Sequence, residues 1–155
     1  MPVLRGWRDK PYVIAERETY DKLKARGIDP LFWIDSIFLA PEIRKEIQEE
    51  IFGKGNHQAA NQKFYKLAWG HKEHHKCEEC MKPLPNYSAS FVSHMLSRGA
   101  YPEAAYDLRN FNILCKECHA RWENGDRENM KIFQRNNYRI KFIKKDYETL
   151  KNKNS

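Results

Sequence analysis

Long apolar runs, spare cysteines, internal repeats and an excess of acidic side chains are what this sequence lacks. The most apolar stretch, Leu31 to Ala40, is broken by Asp35 and Ser36 and falls far short of the roughly 20 residues a helix needs to cross a bilayer. No membrane-spanning helix is expected. Residues 1–10 bring Arg5, Trp7, Arg8 and Asp9 together without an apolar core, so a secretory leader is not expected and the chain reads as cytoplasmic. No segment repeats, although Cys77-Glu-Glu-Cys80 and Cys115-Lys-Glu-Cys118 echo each other. Acidic residues number 21 against 28 Lys and Arg, leaving a formal charge of +7. That balance favours a polyanionic partner, because each phosphate neutralised by Lys or Arg releases a condensed counterion. Zinc bound by four thiolates would leave the chain at about +5, still basic.

A length of 155 residues suits one ordinary domain, or a small metal-stapled module with a helical extension, but not two large cores. Hydrophobic residues at 41% and aromatic residues at 13% argue against global disorder. Residues 15–26 read as a short outer helix closed by Gly27. The cluster Leu31, Phe32, Trp33, Ile34, Ile37, Phe38 and Leu39 is expected to supply core for the N-terminal part. Pro41 fits the first position of a helix that carries Ile43, Ile47 and Ile51 on one face and ends at Gly53. A further helix is expected with Asn56 as cap, Ala60, Phe64, Leu67 and Ala68 buried, and an end near Gly70. The composition changes at His71, so the expected division is a helical region over 1–70, a metal-bound module over 71–135 and a basic segment over 136–155. The last segment has two readings: a basic and aromatic face that tracks nucleic acid, or an amphipathic helix with Tyr138, Phe142 and Ile143 packed inward.

All four cysteines fall in two C-x₂-C pairs with none left over, the arithmetic of a Cys₄ zinc site in a reducing compartment. Two such knuckles complete a tetrahedron of sulfurs around Zn²⁺. A redox-active C-x-x-C and a pair of structural disulfides are the competing readings. The 34 residues between the pairs are too many for a simple ribbon, so a folded element must lie between them. His71, His74 and His75 are read as solvated, and Trp69 and Trp122 as packing residues.

Within and after that interval lie FVSHMLSRG, with His94, and RNFNILCKECHARWENGDR, with Asn110, the second cysteine pair and His119. A first C-x₂-C, a strand ending in His, an Asn five residues before the second C-x₂-C and a His directly after it resemble the zinc-containing HNH (His-Me finger) endonucleases. The HMLSRG element is also similar to phage recombination nucleases of the NinG type. The resemblance covers about residues 75–130. It implies an α+β, mostly helical protein: a zinc-stapled ββα-metal module behind an N-terminal helical extension. It further implies a metal-dependent DNA endonuclease, bacterial or phage-encoded, with His94 as general base and Asn110 as the residue orienting it. Cys77, Cys80, Cys115 and Cys118 would hold structural zinc, and His119 with Glu123 a catalytic Mg²⁺ or Mn²⁺.

One position departs from the family pattern. Ser93 stands where an Asp, His or Glu normally binds the ion. Three consequences are open: His119 and Glu123 hold the ion with more water and phosphate oxygens, Asp107 moves in, or catalysis is lost. Arg98, Arg121, Arg135 and Arg139 are the candidate nucleic-acid contacts. The expected partner is DNA, branched and single-stranded forms included. A non-catalytic zinc module that binds nucleic acid and a phage interaction protein are the alternatives.

Overall fold

The structure is a computed structural model that describes residues 21, 23–29, 33, 34, 36, 38–53, 58–72 and 74–153. The chain divides into two compact units after residue 73. The class is α+β and mostly helical. Among the described residues no helix is long and apolar enough to cross a membrane.

In the first unit, residues 23–25 close a helical turn that Gly27 stops at φ 75°, with the Ile28 N–H reaching the Leu23 carbonyl at 2.9 Å. Residues 15–20 of the expected outer helix lie outside the described residues. Helix α1, Pro41–Phe52, starts on its proline, carries Glu42 in the first turn and ends at Gly53, whose φ of 84° a residue with a Cβ rarely adopts. Its buried side is Arg44, Ile47, Gln48, Ile51 and Phe52. Helix α2, Gln58–His71, buries Ala60, Phe64 and Ala68, and Phe64 meets Phe52 edge-on at 5.9 Å. The expected cap Asn56 lies outside the described residues. Of the apolar cluster before α1, Trp33 and Ile34 are buried but Phe38 is 91% exposed. Part of that cluster is therefore surface, a correction to the expected core. Arg44 explains the local fold: it donates to the Ile34 and Ser36 carbonyls at 2.7 and 2.9 Å and lies over the Trp33 ring.

The second unit begins with a knuckle. Lys76 bridges Pro83, the Cys77 N–H donates to the Lys82 carbonyl, and the Met81 N–H returns to the Cys77 carbonyl. Strand β1, Val92–Ser93, pairs antiparallel with β2, Asn112–Ile113, in the register Val92 to Ile113 and Ser93 to Asn112. Helix α3, Lys116–Glu123, follows β2 directly. Helices α4, Lys131–Arg135, and α5, Asn137–Lys153, complete the unit. Helix α5 is an integral part of this core, since Ile140, Ile143, Tyr147 and Leu150 are all buried.

Candidate metal centre and active site

The two cysteine pairs converge. One sulfur from each of Cys77, Cys80, Cys115 and Cys118 lies within 4.8 Å of the others, and none forms a disulfide. Cys80 Sγ and Cys115 Sγ are 3.7 Å apart. A tetrahedron with Zn–S distances of about 2.3 Å requires sulfurs about 3.8 Å apart, whereas a disulfide needs about 2.05 Å. The spacing fits a four-coordinate metal. Local folding explains how it arises: the knuckle presents the first pair, Cys115 occupies the N-cap position of α3, and Cys118 lies in its first turn.

The ionisation of the thiols supports the same conclusion. Burial raises the Cys77 thiol, but backbone N–H groups of Cys80, Cys115 and Glu79 outweigh it and bring the group below its usual value. Cys118 is pushed far up, first by burial and then by the neighbouring sulfurs of Cys115 and Cys77. Four sulfurs so close cannot all ionise unless a cation offsets their charge. The donor set therefore fits Zn²⁺ as a structural metal.

Two glutamates of the knuckle extend its reach. Glu78 accepts from the Ile113 N–H on β2. Glu79 accepts from the Lys131 and Ile132 N–H groups at 3.1 and 2.9 Å, satisfying donors at the start of α4 that no helical partner reaches. The cysteine cluster is thus tied to both the sheet and the C-terminal helices. Only the adjacent C-E-E-C spelling hinted at this.

His94 follows β1 and is 8% exposed. Its Nε2 lies 2.9 Å from the Ala105 carbonyl oxygen. A carbonyl only accepts, so Nε2 carries the proton and, in the neutral ring, Nδ1 holds the lone pair. The imidazole is held below its ordinary value of 6.5, first by burial and also by the positive field of Arg98, while the Ala105 carbonyl and the charge of Glu123 pull the other way.

Asn110 is fully buried in the loop before β2. Its Oδ1 accepts from the Leu96 N–H at 2.8 Å, and its Nδ2 donates to the Leu96 and Ala104 carbonyls at 3.0 Å each. One side chain therefore holds both the loop after His94 and the segment whose next carbonyl fixes the His94 ring. Arg127, which the sequence did not single out, holds the same loop. It donates to the Met95 and Trp122 carbonyls with its guanidinium 4.8 Å over the Trp122 ring.

On α3, His119 Nδ1 lies 2.7 Å from the Ser90 carbonyl, so Nδ1 carries a proton. His119 Nε2 then faces Glu123 Oε1 at 3.4 Å, one helical turn on. In the neutral ring these are two acceptors facing each other, an arrangement that calls for a proton or a cation between them. Among the described residues, however, the cysteines form the only group of three or more His, Cys, Asp or Glu donors positioned for a metal. His119 and Glu123 make a two-donor site at most.

Ser93 is fully buried and its hydroxyl has no hydrogen-bond partner among the described residues. As the cross-strand partner of Asn112 it shares that residue's side of the sheet, and Asn112 Oδ1 accepts from Asn136 at 2.8 Å. Asp107, the alternative ligand, is engaged by other side chains. It is fully buried, bound by Arg109 at 2.7 Å and by the Tyr147 hydroxyl at 3.0 Å. Burial works against the Arg109 charge, but Asp107 and then Asp146 outweigh it and hold the guanidinium ionised.

The four predicted arginines separate. Arg98 is exposed, four residues after His94 in the chain. Arg121 pairs with Asp126 at 2.8 Å, Arg135 donates to the Glu78 carbonyl, and Arg139 is half-buried. Trp122 is completely buried, His74 is exposed and His75 half-buried. The chain matches no protein-family model, no curated protein and no solved structure.

Proposed function

We propose that the second unit is an HNH-type ββα-metal module and that the protein is a metal-dependent DNA endonuclease hydrolysing phosphodiester bonds. The observation that carries this reading is the pairing of two tautomers. His94 donates through Nε2, which leaves the lone pair of the neutral ring on Nδ1, while His119 Nε2 and Glu123 Oε1 converge as paired acceptors one helical turn apart. The first is what a general base needs, and the second is what a hard divalent ion needs.

In this account His94 Nδ1 takes a proton from water as the water oxygen attacks phosphorus, and the P–O bond to the leaving oxygen breaks. Asn110 and Arg127 fix the loop that aims the base, which is positioning work. Arg98 supplies positive charge for the phosphate being cleaved. His119 and Glu123 would hold Mg²⁺ or Mn²⁺, which when bound would supply Lewis-acid charge at the scissile phosphate. The cysteine-bound zinc serves the fold.

A second reading, a zinc module that binds nucleic acid without cleaving it, draws on Ser93, a neutral residue where the family pattern has an ion ligand. Cleavage assays on duplex, single-stranded and branched oligonucleotides with Mg²⁺ or Mn²⁺ separate the two. The nuclease reading expects ion-dependent products that disappear in His119→Ala and weaken in Arg98→Ala; intact substrates throughout would leave the binding module.

A further inference from the structure

The outer face of α5 takes no part in the candidate site, yet its composition is unusual. The helix packs inward through Ile140, Ile143, Tyr147 and Leu150. Tyr138 lies opposite, 67% exposed, with its ring braced edge-on against Phe142 at 4.5 Å. Of the two readings of this segment, the one that packs Tyr138 inward is corrected by its exposure. Lys141 and Lys145 follow on the same exposed stripe, about 4.5 and 10.5 Å further along the axis at 1.5 Å per residue. Lys144 and Lys151, further round the helix, are also exposed. None of these four lysines forms an ion pair among the described residues. The neighbouring Asp146 is occupied by Arg109 at 3.0 Å, which leaves Glu148 as the exposed carboxylate of this face.

Like charges one turn apart weaken a helix, and an exposed ring buries little surface, so this face contributes little to the fold. A braced aromatic followed by spaced cations is what stacking on a base and neutralising its flanking phosphates require. Bases inside a duplex are already stacked, so the ring can take only an unpaired one. We infer that the Tyr138–Lys141–Lys145 face of α5 binds single-stranded DNA. The inference rests on the nuclease reading only for the use of that strand, an unpaired stretch alongside the cleavage point.

The test is fluorescence anisotropy of the full-length, zinc-loaded protein with labelled oligo(dT) and with a blunt duplex, without added Mg²⁺. Tyr138→Ala should weaken oligo(dT) binding about 10-fold and Tyr138→Phe should preserve it. Duplex binding should be unchanged in both. Lys141→Gln combined with Lys145→Gln should lower the slope of log affinity against log salt by about 1.4, at about 0.7 per contact for single strands. Unchanged oligo(dT) affinity in Tyr138→Ala, or equal loss on duplex, overturns the inference. If His94-dependent cleavage is present in that case, the nuclease reading stands alone. Tyr138-dependent oligo(dT) binding by a protein that cleaves nothing would keep the helix face and remove the nuclease.

Discussion

Asn110→Ala should be among the most damaging single changes in the second unit. The side chain makes three buried hydrogen bonds of 2.8 to 3.0 Å, to Leu96 twice and to Ala104 once. Each contributes about 1 kcal/mol net, and an alanine leaves the Leu96 N–H and two carbonyls buried without that partner, a further penalty of about 1–3 kcal/mol for any left unsatisfied. A loss of about 3–5 kcal/mol is expected, a large part of the roughly 5–15 kcal/mol that holds a domain folded. The assay is urea unfolding of the zinc-loaded protein, followed through NMR signals of residues 92–113 so that the first unit does not contribute. Hydrogen exchange at the Leu96 amide should lose its protection in the same variant. A destabilisation below about 1 kcal/mol with the Leu96 amide still protected would refute the bracing role.

Ser93→Ala should be neutral or stabilising by up to about 1 kcal/mol, because it removes a buried hydroxyl without a partner; thermal unfolding checks this, and a clear loss of ion-dependent cleavage would instead make Ser93 a ligand. The His94 imidazole should titrate below its ordinary 6.5 by NMR. Since its folded value is the lower one, the neutral ring's stability contribution is complete above 6.5 and is lost as pH falls through the folded value; titration at or above 6.5 would contradict the burial argument. The protein should carry one zinc per chain by elemental analysis, and a chelator should expose all four thiols together with loss of the NMR dispersion of residues 77–118. Chelation without loss of that dispersion would show that the knuckle does not depend on metal.

The sequence made some of this legible because its signals were local. The cysteine cluster follows from two short spacings, and α1 and α2 from apolar periodicity with Pro41 and Gly53 at the ends of α1. What it concealed depends on distance along the chain. Glu79 caps a helix that begins 52 residues later, and Tyr147 reaches Asp107 across 40, so neither pairing leaves a local pattern. Asp107 looked available as a ligand because the buried Arg109 pair that occupies it depends on tertiary packing. Phe38 and Tyr138 are ordinary apolar or aromatic letters whose exposure only the packed neighbours decide. In α5 the amphipathic reading is right for Ile143 but not for Tyr138, because the buried face runs through Ile140, Ile143, Tyr147 and Leu150.

The central claim is tested most directly by nicking of supercoiled plasmid with Mn²⁺ or Mg²⁺, comparing wild type with His94→Ala at matched zinc content, so that folding and chemistry are separated. Ion-dependent conversion to open circles by the wild type and a fall of at least about 100-fold in the variant, the scale of a general base, are expected. A well-folded, zinc-loaded wild type that leaves the plasmid supercoiled, or equal nicking by both proteins, would contradict it.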